Sequence, residues 1–471
     1  MGPRPEQTAP RNKANKGGGR AVGTEVEGPR SARHKGGAAQ TQMESVAVAI
    51  VGGGQAGLAT SQELTKAGLE HVVLERGRVG EVWRNRWDSF CLVTPNWTVQ
   101  LPEGHYAGPE PDGFMPRDEF VAYLERYAAQ SQVPIREHVA VKSVESLPGD
   151  GFMLRTSAGE IHANAVVLAT GAFQRPHRPA TAQTLPTELA QIDVDDYRNE
   201  QALPPGKVLI IGSGLSGCQI AEELSEAGRD VVVACGRAPW APRRFGGRDL
   251  LWWAQETGFL DWRLDSLPAP EARLFGAPVT GHGHGHDLHL RRLQARGVTL
   301  TGHFLRATDR KALFAPDLDQ SVAWGDERYL QFRGLVDNLV STRGLQPPAL
   351  DDPEPFTSSA PNSIDLADIG SVIFAAGFRP DYRSWLPWPD AFDTWGFPLT
   401  QDGASTVVPG LYFVGVHFLR KRKSSSLLGV AEDAAILAER IWAERTLQQH
   451  QASTQVACLT SNLKSAASSN L

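Results

Sequence analysis

The apolar residues near the start of the ordered-looking sequence follow a strand-like run and then a helix-like period. Residues 45–51 form a valine-rich apolar run that is short enough for a buried parallel strand. Residues 55–67 carry apolar side chains at helical spacing, and Gly68 then ends the segment. A second apolar run at 71–74 predicts another strand. This order predicts the first unit of an α/β fold with a parallel sheet.

Glycines occupy the turn between this first strand and its helix, which starts at Gln55. Gly52 permits a tight turn, Gly54 lets backbone N–H groups approach a pyrophosphate, and Gly57 lets the helix pack closely on the strand. Glu75 ends the second strand, close to the ~20-residue spacing of a carboxylate that accepts a hydrogen bond from a ribose hydroxyl. We therefore expect FAD at this loop.

The same pattern returns near the middle of the chain. Residues 207–211 predict a strand, residues 216–227 a helix that Gly228 ends, and residues 230–234 a second strand. The loop between the strand and the helix carries Gly212, Gly214, Ser216 and Gly217. The chain therefore contains a second dinucleotide-binding loop.

The second strand of this repeat ends in a cation rather than in an acid. Arg237 stands there, and an arginine pairs with a 2′-phosphate through two parallel hydrogen bonds, whereas a carboxylate would repel it. This predicts NADPH rather than NADH as the second dinucleotide. Arg243 and Arg244 follow a few residues later, and they either add positive charge to the phosphate site or belong to a solvated loop.

Two dinucleotides in one protein usually exchange a hydride, so the two loops predict a flavin enzyme that a nicotinamide reduces. The length of 471 residues gives room for two or three domains, and the net charge of −6 argues against a nucleic-acid partner. No apolar stretch approaches the ~20 residues of a membrane span, and we expect a cytoplasmic protein. The four cysteines form no C-x-x-C pair, which argues against a dithiol relay, structural zinc and a disulfide scaffold.

The ends of the chain differ in composition from the rest. Residues 1–44 are rich in Gly, Pro and basic residues without apolar periodicity, which predicts a disordered extension, and Met43 is a candidate natural start. Residues 446–471 are expected to be a disordered tail. Between these ends we expect an FAD domain at 45–180, an NADPH domain at 190–365 and a return to the FAD domain at 366–445.

Two segments within the predicted NADPH domain carry unusual composition. Residues 248–280 are dense in Trp, Leu and Pro, which is compatible with a packed helical insertion, a lid over the substrate or a patch for peripheral membrane contact. Residues 281–286 alternate glycine with histidine, a good metal ligand. No cysteine or carboxylate cluster accompanies these histidines, so we expect a surface loop and no metal site.

Several further segments resemble the flavin-containing monooxygenases of class B and their plant and bacterial relatives. These are Glu75-Arg76, Trp83-Arg84, Ala169-Thr170-Gly171, the second glycine loop, Ala375-Ala376-Gly377, residues 410–415, which end at Gly415, and residues 427–430, which include Leu428. The similarity covers roughly residues 45–445 and is greatest to bacterial flavoproteins often labelled as potassium-transport-associated. It implies two Rossmann-like domains, the second inserted into the first, with these segments at the cofactors.

The resemblance also implies a reaction, namely the oxygenation of a small organic substrate by O2 through a C4a-hydroperoxyflavin. In this family an asparagine after the Trp-Arg loop supports that adduct, and Asn96 is the best match, although an asparagine after Pro95 is equally typical of a turn. The helix near residue 427 would point N–H groups at the flavin, and the basic residues 421–423 either assist it or form a solvated turn. Val416 stands where disulfide-reductase relatives carry an acid.

The sequence also departs from the family. Asp193 stands where the identifying F-x-G-x-x-x-H segment has its histidine, and the tryptophan-terminated variant of the Baeyer–Villiger enzymes is absent. Two other functions therefore stay open. One is a reductase or oxidase that passes electrons from NADPH to a quinone or to oxygen. The other is a low-turnover redox or nucleotide sensor linked to transport. The substrate and the oligomeric state are not indicated.

Overall fold

The structure, a computed structural model, describes residues 44–148 and 151–468, with side chains up to residue 451 apart from residue 449. The predicted N-terminal extension and the candidate start at Met43 lie outside the described residues, except that Glu44 begins the first strand. The predicted secondary structure around both glycine loops agrees with the observed elements to within two residues.

The first domain is built on a nine-stranded sheet whose central strands are parallel and buried. Its central strand pairs on both sides in register, with Ile50 opposite Val73 and Val167. In spatial order the main strands are Thr400–Gln401, Ala404–Ser405, Leu411–Phe413, Gly159–Leu168, Glu44–Val51, His71–Leu74 and Ile135–Arg136, and Phe152–Thr156 and Val141–Ser146 extend the sheet from Gly159–Leu168.

The second domain is built on a five-stranded sheet that is parallel throughout. Its spatial order is Ala190–Asp193, Ile369–Phe374, Lys207–Ile211, Val231–Ala234 and Thr299–Thr301. The repeated βαβ unit in each domain is the dinucleotide-binding arrangement expected from the two loops. The prediction of two Rossmann-like domains is therefore confirmed.

Eight α-helices accompany the two sheets in the described part of the chain. They are α1 (Gln55–Lys66), α2 (Glu81–Arg84), α3 (Arg117–Gln130), α4 (Leu215–Glu226), α5 (Leu250–Glu256), α6 (Leu290–Ala295), α7 (Leu318–Arg343) and α8 (Val430–Ser468). The remaining strands form an antiparallel sheet of Phe304–Ala307, Lys311–Phe314 and Ser363–Asp365, and the pairs Gln100–Leu101 with Gly104–His105, Arg244–Phe245 with Arg248–Asp249, and Arg175–Pro176 with Phe378–Arg379.

The boundary where the chain leaves the second domain differs from the prediction. Residue 366 was expected to begin the return to the first domain, but Ile369–Phe374 lies inside the second sheet, with Val372 opposite Leu209. The two crossing segments are Arg175–Pro176 and Phe378–Arg379, which pair with each other. The second domain is thus an insertion that ends at these paired linkers. The sequence did not indicate this boundary, because buried parallel strands from either domain have the same apolar composition.

The end of the chain also differs from the prediction of a disordered tail. α8 begins at Val430 and continues to Ser468, so it includes residues 446–468. Its start packs under α1, where Ala434, Leu437 and Ile441 are buried in the core of the first domain. Residues 446–468 are rich in Ala, Gln and Ser and contain neither proline nor glycine, so no helix-breaking residue interrupts α8 there.

Candidate functional site

The first glycine loop closes over the carboxyl end of the central strand, and each glycine has its own steric reason. Gly52 has φ +115°, and a Cβ there would lie 2.8 Å from the backbone oxygen of Ala169. A Cβ at Gly57 would lie 1.9 Å from the backbone oxygen of Gly52, so α1 rests directly on the loop. At Gly54 a Cβ would meet nothing within 4 Å, so the space above the start of α1 is open.

The second glycine loop repeats this geometry. Gly212 has φ +116°, and a Cβ there would lie 2.4 Å from the backbone oxygen of Ala375. A Cβ at Gly217 would lie 2.0 Å from the backbone oxygen of Gly212, and one at Gly214 would meet nothing within 4 Å. Ala376 is the next residue after Ala375 and therefore also borders the second loop. Both alanines follow the strand Ile369–Phe374, which the sequence analysis assigned to the first domain.

The helices behind the two loops begin in the way that an anion site requires. Gly54 and Gly214 are their N-caps and make no side-chain cap, and neither helix has an acidic residue in its first turn. Ser216 lies in the first turn of α4 and is half-buried. The free N–H groups and the positive end of each helix dipole therefore adjoin open space, which fits the diphosphate of a bound dinucleotide.

Glu75 is buried at the end of the second strand of the first domain. Its carboxylate accepts hydrogen bonds from the backbone N–H groups of Gly53, at 2.6 Å, and Gly77, at 2.8 Å. These bonds fix the acid against the glycine loop, where the ribose of an adenosine would lie. Arg76 follows it and is exposed.

The Trp-Arg segment lies beside the same loop. Trp83 in α2 donates from Nε1 to Gln55 Oε1 at 3.0 Å, and its ring meets Phe120 edge-on. Arg84 forms an ion pair with Glu125. The structure thus brings Trp83 and Gln55 together at the start of α1, while Arg84 is directed towards α3.

Thr170, Gly171 and Gly415 come together at the start of α1 from different parts of the chain. The Tyr382 hydroxyl donates to the backbone oxygen of Gly171 at 2.9 Å. A Cβ at Gly415 would lie 2.5 Å from the Cβ of Ala56 in α1. The strand carrying Leu411 to Phe413 pairs with the strand that precedes Thr170. The predicted segments of the FAD site are therefore adjacent in space.

Arg237 and Arg243 occupy very different environments. Arg237 is exposed just beyond the strand Val231–Ala234 and makes no hydrogen bond or ion pair with any described residue. Arg243 is 2% exposed, and its Nε lies 2.9 Å from Oδ2 of buried Asp249. The geometry therefore keeps Arg237 available for a phosphate, whereas Arg243 is buried in an ion pair with Asp249.

The other contacts of Arg243 cross to the first domain. Its Nη1 donates to the backbone oxygen of Val93 at 2.8 Å, and its guanidinium lies 4.5 Å from the centre of the Phe114 ring. Burial lowers its pKa, against the opposing influence of Asp249. Arg244 also lies over Phe114 and donates to the backbone oxygen of Gly285 at 2.8 Å. Both arginines therefore join the domains.

Asn96 lies in a buried turn in the first domain. Its Nδ2 donates to the backbone oxygen of Glu110 at 2.9 Å, and its Oδ1 accepts from the backbone N–H of Met115 at 2.8 Å. Only 3% of the residue is exposed. Because both polar atoms of the amide bond to the backbone, the geometry favours the turn role among the two roles that the sequence left open.

The alternating glycines and histidines form the contact between α4 and the first domain. His286 Nε2 lies 2.7 Å from Oε1 of buried Glu222, and this hydrogen bond raises the pKa of His286. His282 lies 3.7 Å from Glu226. A Cβ at Gly281 would clash with Phe114 and with the backbone of Leu92, so the loop is closely packed. His282 and His286 are engaged with carboxylates of α4, and no group of three metal-ligating residues forms within the described residues.

The Trp-rich segment is a packed insertion. Trp253 in α5 is buried and donates from Nε1 to the backbone oxygen of Phe245 at 3.0 Å. Its cluster includes Tyr329, Phe332 and Val336 of α7. Among the alternatives left open by the sequence, the structure therefore supports the helical insertion. No helix in the described ranges is long and apolar enough to cross a membrane.

The basic turn before α8 binds this insertion. Lys421 and Lys423 each lie 3.0 Å from Oδ1 of Asp261. Arg422 stacks on Phe259 with 4.0 Å between its guanidinium carbon and the ring centre, and burial lowers the pKa of Arg422 to about 10. The basic side chains of the turn are therefore engaged with Phe259 and Asp261 of the insertion.

The segment that was expected to cover the flavin differs slightly from the prediction. Leu428 is half-buried and packs against the cluster of α5 and α7, and α8 starts at Val430 rather than near residue 427. Gly429 lies between them, and a Cβ there would lie 2.2 Å from the backbone oxygen of Lys423. The helix start is therefore held closely against the basic turn.

The cysteines whose side chains are described are unreactive. Cys218 and Cys235 are buried in the second domain and Cys91 is partly buried, and all three are free thiols. Burial raises the pKa of Cys91 to about 11 and of Cys235 to about 12, and that of Cys218 still further. These groups are therefore neutral thiols at neutral pH and poor nucleophiles.

Comparison with known proteins places this fold and these sites in a family. The family described as pyridine nucleotide-disulphide oxidoreductase matches residues 49–246. An uncharacterized CzcO-like oxidoreductase of Geobacillus kaustophilus is 30% identical over 398 residues, 84% of this chain and 98% of the relative. The chain belongs to the CzcO-like oxidoreductases. Indole-3-pyruvate monooxygenase YUCCA1 of Oryza sativa subsp. japonica is 27% identical over 412 residues, 84% of this chain and 92% of the relative.

Solved structures share the fold of this oxidoreductase. A flavin-containing monooxygenase from Stenotrophomonas maltophilia matches with a TM-score of 0.59 and 20% identity, over 85% of this chain and 99% of its own. OTEMO, solved in complex with FAD and NADP, matches with a TM-score of 0.52 and 14% identity, over 87% of each chain. The predicted resemblance is confirmed, and the predicted pair of cofactors agrees with the pair in OTEMO.

Two histidines of this oxidoreductase have contacts that sequence reasoning missed. His417 follows Val416 and lies edge-on to Phe173 at 4.5 Å, and its buried Nδ1 has no hydrogen-bond partner among the described residues. Burial lowers the pKa of His417 to about 4. His303 follows a strand of the second domain and lies 2.6 Å from Asp317. Neither is part of a short motif, so only the folded chain reveals its neighbours.

Proposed function

We propose that this protein is an FAD-dependent monooxygenase, reduced by NADPH, that acts on a small organic substrate. One observation carries the proposal. The two loops are alike in their open helix N-termini, but Glu75 is fixed at the first, and at the second stands Arg237, which pairs with no residue in the described part of the chain. A carboxylate suits a ribose hydroxyl and a guanidinium suits a 2′-phosphate, so the two sites are built for different dinucleotides.

The residues that would hold each cofactor follow from this geometry. At the first site the start of α1 would hold the diphosphate of FAD, with Glu75 on its ribose and Trp83 bordering the loop. At the second site the start of α4 would hold the diphosphate of NADPH, with Arg237 on the 2′-phosphate. Bound flavin supplies hydride acceptance and electron transfer to oxygen, while the protein orients the two dinucleotides and excludes water.

The cysteines whose side chains the structure describes favour oxygen over a disulfide as the electron acceptor. Disulfide reductases need a thiolate next to the flavin, but Cys218 and Cys235 are neutral thiols in the core of the second sheet. The YUCCA1 relative is a monooxygenase by name. These observations support oxygenation, although the matched family takes its description from disulfide chemistry.

A second candidate is an NADPH oxidase that releases peroxide, and two observations favour it. The oxygen and one N–H of the Asn96 amide bond to the backbone, so at most one N–H is left for a flavin-bound oxygen. Asp193, which replaces the family histidine, forms a two-pronged ion pair with Arg178 at 2.7 and 3.0 Å. Both positions that support oxygenation in the resembled family therefore have structural partners here.

Isotope labelling distinguishes the two candidates. The holoenzyme is supplied with NADPH, 18O2 and a panel of amines, thioethers and 2-oxo acids, and product labelling and peroxide are measured together. A product that carries one 18O atom, with little peroxide, supports the monooxygenase. Stoichiometric peroxide with every compound supports the oxidase. Failure to oxidise NADPH with oxygen or a quinone, while FAD is bound, would refute both.

The choice of NADPH has its own test in Arg237→Ala. Loss of one charge-assisted contact of about 1.5–3 kcal/mol corresponds to a fall of roughly 10- to 100-fold in kcat/KM for NADPH. The value for NADH should change little, because NADH has no 2′-phosphate. Arg126→Ala, at an exposed position in α3, is the matched control. Equal losses with both nucleotides would contradict the assignment.

A further inference from the structure

Two neighbouring strand ends of the second domain bring a histidine beside the expected phosphate site. The strands Val231–Ala234 and Thr299–Thr301 run parallel with Ala234 opposite Thr301, and the N–H of Cys235 donates to the backbone oxygen of Thr301 at 3.0 Å. The chain segments after both strands therefore lie side by side. Dinucleotides bind at the carboxyl ends of such strands, so both segments border the ligand region.

The side chain of His303 is directed towards the segment that carries Arg237. Its Nε2 lies 3.6 Å from the position that a Cβ on Gly236 would occupy. Gly236 immediately precedes Arg237, which is exposed and makes no ion pair with the described residues. Because Gly236 has no side chain, residue 236 does not cover Nε2 of His303.

The opposite edge of the His303 ring is held in place by Asp317. Nδ1 lies 2.6 Å from Oδ2 of Asp317, and the backbone N–H of His303 donates to Oδ1 of the same carboxylate at 3.0 Å. The ring therefore has a set orientation although half of the side chain is exposed. A doubly protonated ring would donate Nδ1–H to Asp317 and leave Nε2–H for a second anionic acceptor.

We propose that His303 is a second ligand of the 2′-phosphate of NADPH, which it shares with Arg237, and that Asp317 positions it. This inference rests on the proposed use of NADPH at the second site. The ring would donate Nε2–H to a phosphate oxygen while Arg237 binds the other oxygens. A ring that carries both protons would balance the negative charge of Asp317, so that the carboxylate would not repel the phosphate. NADH lacks the group that both side chains recognise.

Calorimetric titration of the FAD-loaded protein with two fragments tests this inference. Adenosine 2′,5′-bisphosphate carries the 2′-phosphate and 5′-AMP does not, so their Kd ratio isolates recognition of that group. In His303→Gln the Kd for the bisphosphate should rise about tenfold, as expected for one charge-assisted contact, while the Kd for 5′-AMP stays unchanged. His303→Arg keeps a cation at the position and should retain the preference.

A protonation readout separates ligand contact from a structural role. At mildly alkaline pH, titration in buffers of different ionisation enthalpy should show proton uptake when the wild type binds the bisphosphate, and His303→Gln should lose this uptake. His105→Gln, on an exposed hairpin of the first domain, is the matched control. If His303→Gln keeps both the affinity and the proton uptake, the inference is overturned. If the wild type binds both fragments equally, the NADPH assignment itself fails.

Discussion

Replacing single glycines in the first loop by alanine separates cofactor contact from packing. At Gly57 a Cβ would lie 1.9 Å from a backbone oxygen, so α1 must move away from the loop. Overpacking of about 1–3 kcal/mol or more outweighs a gain of about 1 kcal/mol in helix propensity. We expect Gly57→Ala to destabilise the protein by about 1–2 kcal/mol, which lowers the Tm by about 2–8 °C.

Gly54→Ala should have a different effect. Its φ of −85° and ψ of −174° suit alanine, and the added Cβ meets no protein atom within 4 Å. The weaker N-cap preference of alanine is offset by lower entropy in the unfolded chain, so stability should stay within about 0.5 kcal/mol. The methyl group would instead occupy the space of the diphosphate. Loss of one charge-assisted bond there weakens FAD binding by roughly 10- to 100-fold.

The assay combines thermal unfolding of the FAD-free proteins with fluorescence titration by FAD. Gly214→Ala and Gly217→Ala in the second loop form a matched pair. A Cβ at Gly214 meets nothing within 4 Å, whereas a Cβ at Gly217 would lie 2.0 Å from a backbone oxygen. They should reproduce the same division with NADP+ as the ligand. Gly54→Ala with normal FAD affinity, or with a Tm as low as that of Gly57→Ala, would refute the reasoning.

Three further variants test side chains whose environment the structure redefined. Asn96→Ala removes two hydrogen bonds of a buried turn, so the Tm should fall while the amount of peroxide or product per bound flavin stays unchanged. A loss of product without a fall in Tm would instead support a catalytic role for Asn96. Arg243→Ala leaves Asp249 buried without its cation and should lower the free energy of unfolding, measured with denaturant, by about 3–5 kcal/mol. The double variant Arg243→Ala/Asp249→Ala should recover part of this loss. Neither variant should change the preference for NADPH. Glu222 raises the pKa of His286, so their pairing stabilises the fold fully below the unfolded-state pKa of about 6.5, and this stabilisation is lost as pH rises through the folded-state pKa. His286→Gln should therefore flatten the plot of unfolding free energy against pH in this range. An unchanged slope would contradict the prediction.

The glycine loops could be predicted from the sequence because their requirements are local. Gly52 and Gly212 need positive φ and close approach to a strand, and both needs are visible in the spacing of strand, glycine and helix. Glu75 lies one residue after its strand and Arg237 three residues after its own, so both are placed at strand ends by their position in the repeat. The fold class and the pair of dinucleotide sites follow from these few positions.

The roles of Arg243 and Asn96 depend on partners that are distant in the sequence. Arg243 contacts Val93, 150 residues away, and Asn96 bonds to Met115 across a turn of its own domain. Neither partner is predictable from local spacing, so an arginine near a phosphate site and an asparagine near a flavin site were reasonable candidates. Burial, which decides their roles, is a property of the folded chain.

The domain boundary shows why an apolar strand alone does not identify its sheet. Ile369–Phe374 has the composition of any buried parallel strand, and the alanines that follow it resemble the Ala169-Thr170 element of the first domain. The contacts of the glycines decide the assignment. Gly52 sits against the backbone oxygen of Ala169, and Gly212 sits against that of Ala375 in the same way. Each such element therefore belongs to the domain whose loop it supports, and the chain changes domain only after it.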